Sequence, residues 1–236
     1  MKIKLNDIQN QPDYRNIDID KVGVKEIHYP IVVLDKKNKF QHTIASVNMY
    51  VDLPHHFKGT HMSRFIEILN EYHGEITVKN FPVILKNMKE RFDARTAHLE
   101  VEFPYFMEKK APVSRASGIM EYRCRFSGSL GEKKDFILEV IVPVTTLCPC
   151  SKEISKMGAH NQRGMVKVRV RFKNFVWIED IIDIVEKSAS SPVYSILKRH
   201  DEKYVTEQAY NNPKFVEDVV RDVAAKLNEL KEVTYF

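Results

Sequence analysis

Glu26-Ile27-His28-Tyr29-Pro30-Ile31-Val32-Val33-Leu34, then Asp35-Lys36-Lys37-Asn38-Lys39, then Phe40-Gln41-His42-Thr43-Ile44-Ala45-Ser46-Val47-Asn48-Met49-Tyr50-Val51-Asp52-Leu53 reads as strand, polar turn, strand. Alternation is plain in residues 42–51, and period two is the signature of a strand with one buried face. A five-residue polar turn between two such runs predicts a hairpin. Pro54 ends the second strand. Two helices are expected next. In the first, Thr60 is the expected N-cap, Met62, Phe65, Ile66 and Leu69 fall at helical spacing, and Gly74 closes the element. In the second, residues 81–92, Val83, Ile84, Leu85 and Met88 share a face. Residues 96–106 and 117–126 read as two more strands, giving the order β-β-α-α-β-β.

The pattern then restarts. Residues 136–144 form an apolar run of buried-strand character. Residues 165–172 alternate Val166, Val168, Val170 and Phe172 with Lys167, Arg169 and Arg171, a strand with one apolar and one basic face. Residues 177–188 are amphipathic, and Pro213 is expected in the first turn of a last helix running to about residue 230. The expected organisation is an N-terminal arm over residues 1–24, a first module over 25–130 and a second over 131–236. The second reads β-β-α-α and lacks two closing strands.

Composition narrows the class. The chain has 236 residues, 43% hydrophobic and 29% charged, with a net charge of +5. No run approaches the roughly 18 apolar residues of a membrane helix, and the N-terminus lacks an apolar signal core. Three cysteines, two nearly adjacent, make no disulfide framework, so a cytoplasmic, reducing compartment is expected. The mild basic excess is compatible with an anionic substrate. Neither an aromatic RNA-binding motif nor zinc-finger spacing occurs, which argues against a nucleic-acid partner.

The stretch richest in chemistry is Cys148-Pro149-Cys150-Ser151-Lys152-Glu153-Ile154-Ser155, followed by Gly158-Ala159-His160-Asn161-Gln162-Arg163-Gly164. Pro149 disfavours helix at Cys148, so the preceding strand ends there and the thiols fall in a turn. Thiolate plus imidazole suits a borderline-soft metal ion, and is equally a nucleophile and base. A structural zinc site needs four protein ligands, and no second cysteine pair supplies them. Cys124, alone between charged neighbours, is expected as a small core filler.

The order of two strands, two helices and two strands resembles the tunnelling fold (T-fold), an α+β architecture of antiparallel sheets with paired helices. Its sheets close only by assembling subunits. Lys58-Gly59-Thr60-His61-Met62-Ser63-Arg64-Phe65 and the two cysteine- and histidine-bearing stretches above resemble the signatures of GTP cyclohydrolase type IB. So do Asp7-Ile8-Gln9, Val22-Gly23-Val24 and Asp201-Glu202-Lys203-Tyr204. The resemblance implies tandem T-fold modules in a homotetramer, with active sites between subunits. It implies a divalent metal, zinc, manganese or iron, and conversion of GTP and water to 7,8-dihydroneopterin triphosphate and formate. Members of that family usually continue past the last helix with strands carrying a Glu-Ser-Ile-His motif, whereas this sequence ends at Val233-Thr234-Tyr235-Phe236. One carboxylate and one imidazole of the usual site are thereby not supplied.

By the same resemblance Cys148, His160 and Glu202 are metal ligands and catalytic, and Glu217 holds the guanine edge. A carboxylate can accept both the N1–H and 2-amino donors of guanine. Taken on residues alone, Glu202 is as readily a solvated helix carboxylate and Glu217 a favourable charge at a helix start. Cys150 is a second thiolate near the metal or a hydrogen-bonding thiol of the substrate pocket. Lys58, His61 and Arg64, near a helix start, are expected to bind the triphosphate, with Arg91, Arg95, Lys152 and Arg163 as further candidates. Two other functions fit the residues: a purine- or pterin-binding module without turnover, and the archaeal relative that makes a cyclic phosphate.

Overall fold

The computed structural model describes residues 8, 9, 11–72 and 75–236. The chain begins with β1 (Ile19–Asp35), β2 (Lys39–Leu53), α1 (Ser63–Glu71), α2 (Phe81–Arg91), β3 (Ala97–Lys110) and β4 (Ser117–Leu130). It continues with β5 (Lys134–Leu147), α3 (Pro149–Ile154), β6 (Asn161–Phe172), α4 (Ile178–Glu186), β7 (Ser191–Pro192), α5 (Arg199–Asn211), α6 (Val216–Glu229) and β8 (Val233–Tyr235). Strand order is β1-β2-β3-β4-β5-β6-β8, with β7 beside β5. Antiparallel strands with helices make this an α+β protein, as expected.

Two compact units emerge, residues 1–103 with 125–137, and residues 104–124 with 138–236. In the first, β1 and β2 form the expected hairpin, with Val33 opposite Gln41 and Val47 opposite Ile27. Its turn is held by Asp35, whose carboxylate accepts the Lys37 N–H at 2.9 Å. Ala45, Val47, Met49 and Val51 are buried, which confirms the alternation. Gly23 admits no side chain, because a Cβ there would lie 1.9 Å from the Met49 carbonyl oxygen. Phe65, Ile68 and Leu69 of α1 and Phe81, Ile84, Leu85 and Met88 of α2 complete the core. Phe81 sits edge-on to Phe136 with ring centres 4.9 Å apart.

In the second unit Leu138, Val140, Val142 and Val144 of β5 and Val168 and Val170 of β6 meet Ile178, Ile181, Ile182 and Val185 of α4 and Val219, Val223 and Leu227 of α6. Lys167 and Arg169 stay exposed on the other face of β6. There they flank Glu139 at 3.8 and 3.6 Å. Cys124 is 1% exposed, the core filler expected of it. Two buried tyrosines dock α4 through its carboxylates. Tyr105 donates to Glu179 at 2.6 Å and Tyr122 to Glu186 at 2.9 Å.

Several expectations need correction. Helix α1 starts at Ser63 with Met62 as its N-cap and no side-chain cap, so Thr60 does not cap it. Gly74 lies outside the described residues. Strand β1 starts at Ile19, earlier than residue 26, because bulges after Ile19 and Val24 break the alternation the eye follows. Pro213 lies before α6, whose N-cap is Phe215. Helix α5 was not separated from its surroundings. Only Asp201 and Ala209 of its residues are buried, which leaves no apolar stripe to read. After α6 the three-residue β8 pairs with the end of β6.

Candidate active site

Strands β5 and β6 pair down to Leu147 opposite Asn161. One more hydrogen bond, from the Cys148 N–H to the His160 carbonyl at 2.9 Å, extends the ladder. Cys148 and His160 are therefore the two feet of one excursion, in which Pro149–Ile154 coils into α3. The sequence separates the two residues; antiparallel pairing reunites them, since facing residues lie roughly 5 Å apart at Cβ. Pro149 stands at the helix start, where its missing N–H costs nothing.

The Cys148 sulfur is half-buried and Cys150 exposed. Hydrogen bonds hold the Cys148 thiol below its ordinary pKa, foremost from the Ser151 backbone N–H, then from the Cys150 N–H and the two side chains. Partial burial works against them. A thiol surrounded by donors favours its thiolate, the form that ligates metals or attacks electrophiles. The Ser151 hydroxyl donates to the Cys148 carbonyl at 3.1 Å and accepts the His160 N–H at 2.7 Å.

The connection between α5 and α6 is bound to the same place. Lys214 N–H donates to the Leu147 carbonyl at 3.0 Å, and Lys152 Nζ donates to the Tyr210 carbonyl at 2.6 Å. Leu147 N–H donates to Ser190 Oγ at 3.0 Å, and Asn212 donates to the Ala189 carbonyl at 2.9 Å. Glu217, exposed in the first turn of α6, thus starts from a segment fastened beside Cys148. Glu202 is different. It is exposed at the opposite end of α5 from Tyr210, and eight residues of helix span about 12 Å. Among the described residues no three His, Cys, Asp or Glu side chains are gathered to hold a metal ion. Cys148 and His160 fit such an ion as a pair of donors; within one copy of the chain Glu202 is not brought to them.

Asp201, beside Glu202, is wholly buried. It accepts the Val113 and Ser114 N–H groups at 2.8 Å each, the Ser114 hydroxyl at 2.6 Å and the Lys198 N–H at 2.8 Å. Burial alone would raise its pKa, but these bonds outweigh it and hold the carboxyl well below the usual range. It ties the β3–β4 turn to the start of α5. Sequence reading passed over it and Ser151, since neither type signals a role without its partners.

In the first unit a cavity of about 270 Å³ is lined by Gly59, Thr60, His61, Arg64, Arg91 and Asp93, among others. Two of the expected phosphate binders, His61 and Arg64, share it. Arg64 donates to the Arg91 carbonyl at 3.0 Å. Lys58 lines a neighbouring cavity of about 160 Å³ with Asp13 and Arg15. The loop that carries it is held by Gln9 and Gln11, whose carbonyls accept the Gly59 and Lys58 N–H groups at 3.1 and 3.0 Å. Of the further candidates, Arg91 pairs with Glu71, and Arg95 with Asp18 and Asp52. Lys152 stacks on Tyr210.

Fold and site together define an α+β protein with a thiol–imidazole pair at the foot of a hairpin and a cationic cavity in a separate unit. Residues 5–236 match the family described as type I GTP cyclohydrolase folE2, and the chain belongs to that family. It is 64% identical over 231 residues to the GTP cyclohydrolase FolE2 of Syntrophus aciditrophicus (strain SB), covering 98% of this chain and 91% of that protein. It is 62% identical over 235 residues to that of Citrifermentans bemidjiense, covering 100% and 88%. Among solved structures, the uricase of Arthrobacter globiformis shares the fold with a TM-score of 0.53 at 10% identity, covering 91% of this chain and 78% of that one. The urate oxidase of Bacillus sp. TB-90 does so with a TM-score of 0.52 at 12% identity, covering 91% and 86%. No helix is long and apolar enough to cross a membrane.

Proposed function

We infer that this chain is a GTP cyclohydrolase of type IB, which opens the guanine imidazole ring of GTP and yields 7,8-dihydroneopterin triphosphate and formate. Family membership at 62–64% identity over nearly the whole chain carries the reading. The donor-ringed Cys148 beside His160 gives it a chemical centre.

The roles follow from the local chemistry. Cys148 as thiolate and His160 through a ring nitrogen hold a divalent ion, zinc, manganese or iron, with Glu202 as a further ligand. Such an ion, when bound, supplies water activation by lowering the pKa of bound water to roughly 7. Glu217 accepts the two donors of the guanine edge and orients C8. Lys58, His61 and Arg64 receive the triphosphate, and Cys150 lies at the pocket as a hydrogen-bonding thiol. The tandem T-fold arrangement and a homotetramer with sites between subunits belong to the same proposal. Sites completed between copies give Glu202 a route to a thiol–imidazole pair that its own copy does not offer. Three free thiols suit a cytoplasmic setting.

The test is incubation of purified protein with GTP and a panel of divalent metals, read as pterin fluorescence after oxidation. Wild type should turn over with at least one metal, and the phosphate form of the product separates the linear from the cyclic outcome. Cys148→Ala and His160→Ala should each abolish turnover and lower bound metal while leaving the fold intact. Either variant purifying with a full metal complement refutes the ligand assignment, and no turnover with any metal leaves the purine-binding module as the better description.

A further inference from the structure

The His160 ring has no hydrogen-bond partner among the described residues, and the residue is exposed. Its direction is therefore set by its backbone, and that backbone has two ties. The carbonyl accepts the Cys148 N–H at 2.9 Å. The N–H donates to Ser151 Oγ at 2.7 Å. Both partners sit in the four-residue turn that begins at Cys148, and Ser151 Oγ donates back to the Cys148 carbonyl at 3.1 Å. A single hydroxyl thus joins the main chains of both feet of the excursion. The segment between them supplies little restraint of its own: residues 153–158 are all exposed, and Gly158 has a φ of +76°.

We propose that Ser151 is a positioning residue, its hydroxyl locking the Cys148 thiol and the His160 ring into one donor pair. The proposal rests on the reading that these two side chains hold the ion. Removing the hydroxyl frees the His160 N–H and loosens the one foot of the loop that carries an imidazole. Groups that orient metal ligands without touching the metal typically change affinity by about 10–100-fold when lost. A merely structural serine would instead stabilise the short helix α3 and leave ion binding alone.

The discriminating measurement is cobalt titration of the full-length, metal-stripped protein, followed by the thiolate-to-cobalt charge-transfer absorption, with melting temperature recorded alongside. Ser151→Ala should weaken cobalt binding by about 10–100-fold and reduce the thiolate band at saturation. Ser151→Thr, which keeps the hydroxyl, should bind within a few-fold of wild type. Wild-type affinity and band intensity in Ser151→Ala overturn the proposal, whatever happens to its melting temperature. A folded Thr variant that binds as weakly as Ala does so too, and it keeps the test decisive if Ser151→Ala fails to fold. Absence of a thiolate band in wild type, or its persistence in Cys148→Ala, overturns the ion-binding reading itself and the proposal with it. That failure is told apart because it appears without any change at Ser151.

Discussion

Glu217 stands three residues beyond Lys214, whose N–H is bonded to the Leu147 carbonyl. The helix cap is made by its neighbour, since Asp218 accepts the Phe215 N–H at 3.0 Å. Glu217 is thus exposed at a helix start without being needed to cap it, and its carboxylate is available for a ligand. Guanine offers adjacent N1–H and 2-amino donors; adenine does not. Glu217→Gln keeps the shape but turns one acceptor into a donor facing a donor. We expect GTP affinity to fall at least tenfold, about 1.4 kcal/mol, with metal content unchanged. Calorimetric titration of GTP into the metal-loaded variant checks this, and wild-type affinity would leave Glu217 as a surface carboxylate.

Between elements, the α4 contact is the most exposed to single changes. Lys109 of β3 and Glu186 of α4 are 15% and 13% exposed and 2.6 Å apart. Glu186 also takes the Tyr122 hydroxyl, and Lys109 also donates to the Val193 carbonyl at 2.8 Å. Burial lowers the Lys109 pKa and the carboxylate opposes that shift. Glu186→Ala would strand a buried cation and a buried phenol. The expected cost is on the order of 3 kcal/mol, seen as a lower urea midpoint at unchanged slope. A midpoint within error of wild type would mean water reaches the pair.

The start of β1 is held differently, at the surface. Asp18 accepts the His55 N–H at 2.7 Å, meets the His55 ring at 2.8 Å and takes Arg95 at 3.1 Å. These contacts, the His55 N–H foremost, lower its pKa to about 2. The folded value lies below the unfolded one near 4. The stabilisation is therefore full above about pH 4 and lost as pH falls toward 2. Asp18→Asn should melt modestly below wild type at neutral pH, and the gap should close between pH 4 and pH 2. A gap that stays constant over that interval would show that Asp18 does not carry the effect.

At the scale of the whole molecule the open strand edges matter most. On the side away from β5, β6 is paired only at Arg171 and Phe172 among the described residues, leaving most of the strand without a neighbour. Ile119 and Met165 are 68% and 61% exposed on β4 and β6. Unpaired edges and exposed apolar side chains favour association. Sedimentation at micromolar concentration should give a tetramer. A monomer would remove the proposed route by which Glu202 reaches a thiol–imidazole pair.

Period-two alternation in residues 42–51 and 165–172, and the helical spacing of Phe65 and Leu69, made most strands and helices readable, because burial on one face imposes that period directly on residue order. The cysteine and histidine motif was equally legible, since few structural uses require a thiol, a proline, a thiol and an imidazole together. Polar α5 and the bulged start of β1 escaped, because neither imposes a regular apolar pattern. What tertiary structure alone decided is which functional residues meet. Antiparallel pairing joined Cys148 to His160, and hydrogen bonds to Leu147 and Lys152 brought the approach to α6 beside them. The length of α5 carried Glu202 away, and the roles of Ser151 and Asp201 appeared only with their partners. Hydrogen bonds between residues far apart in sequence leave no periodic trace in the chain, so they become visible only once it is folded.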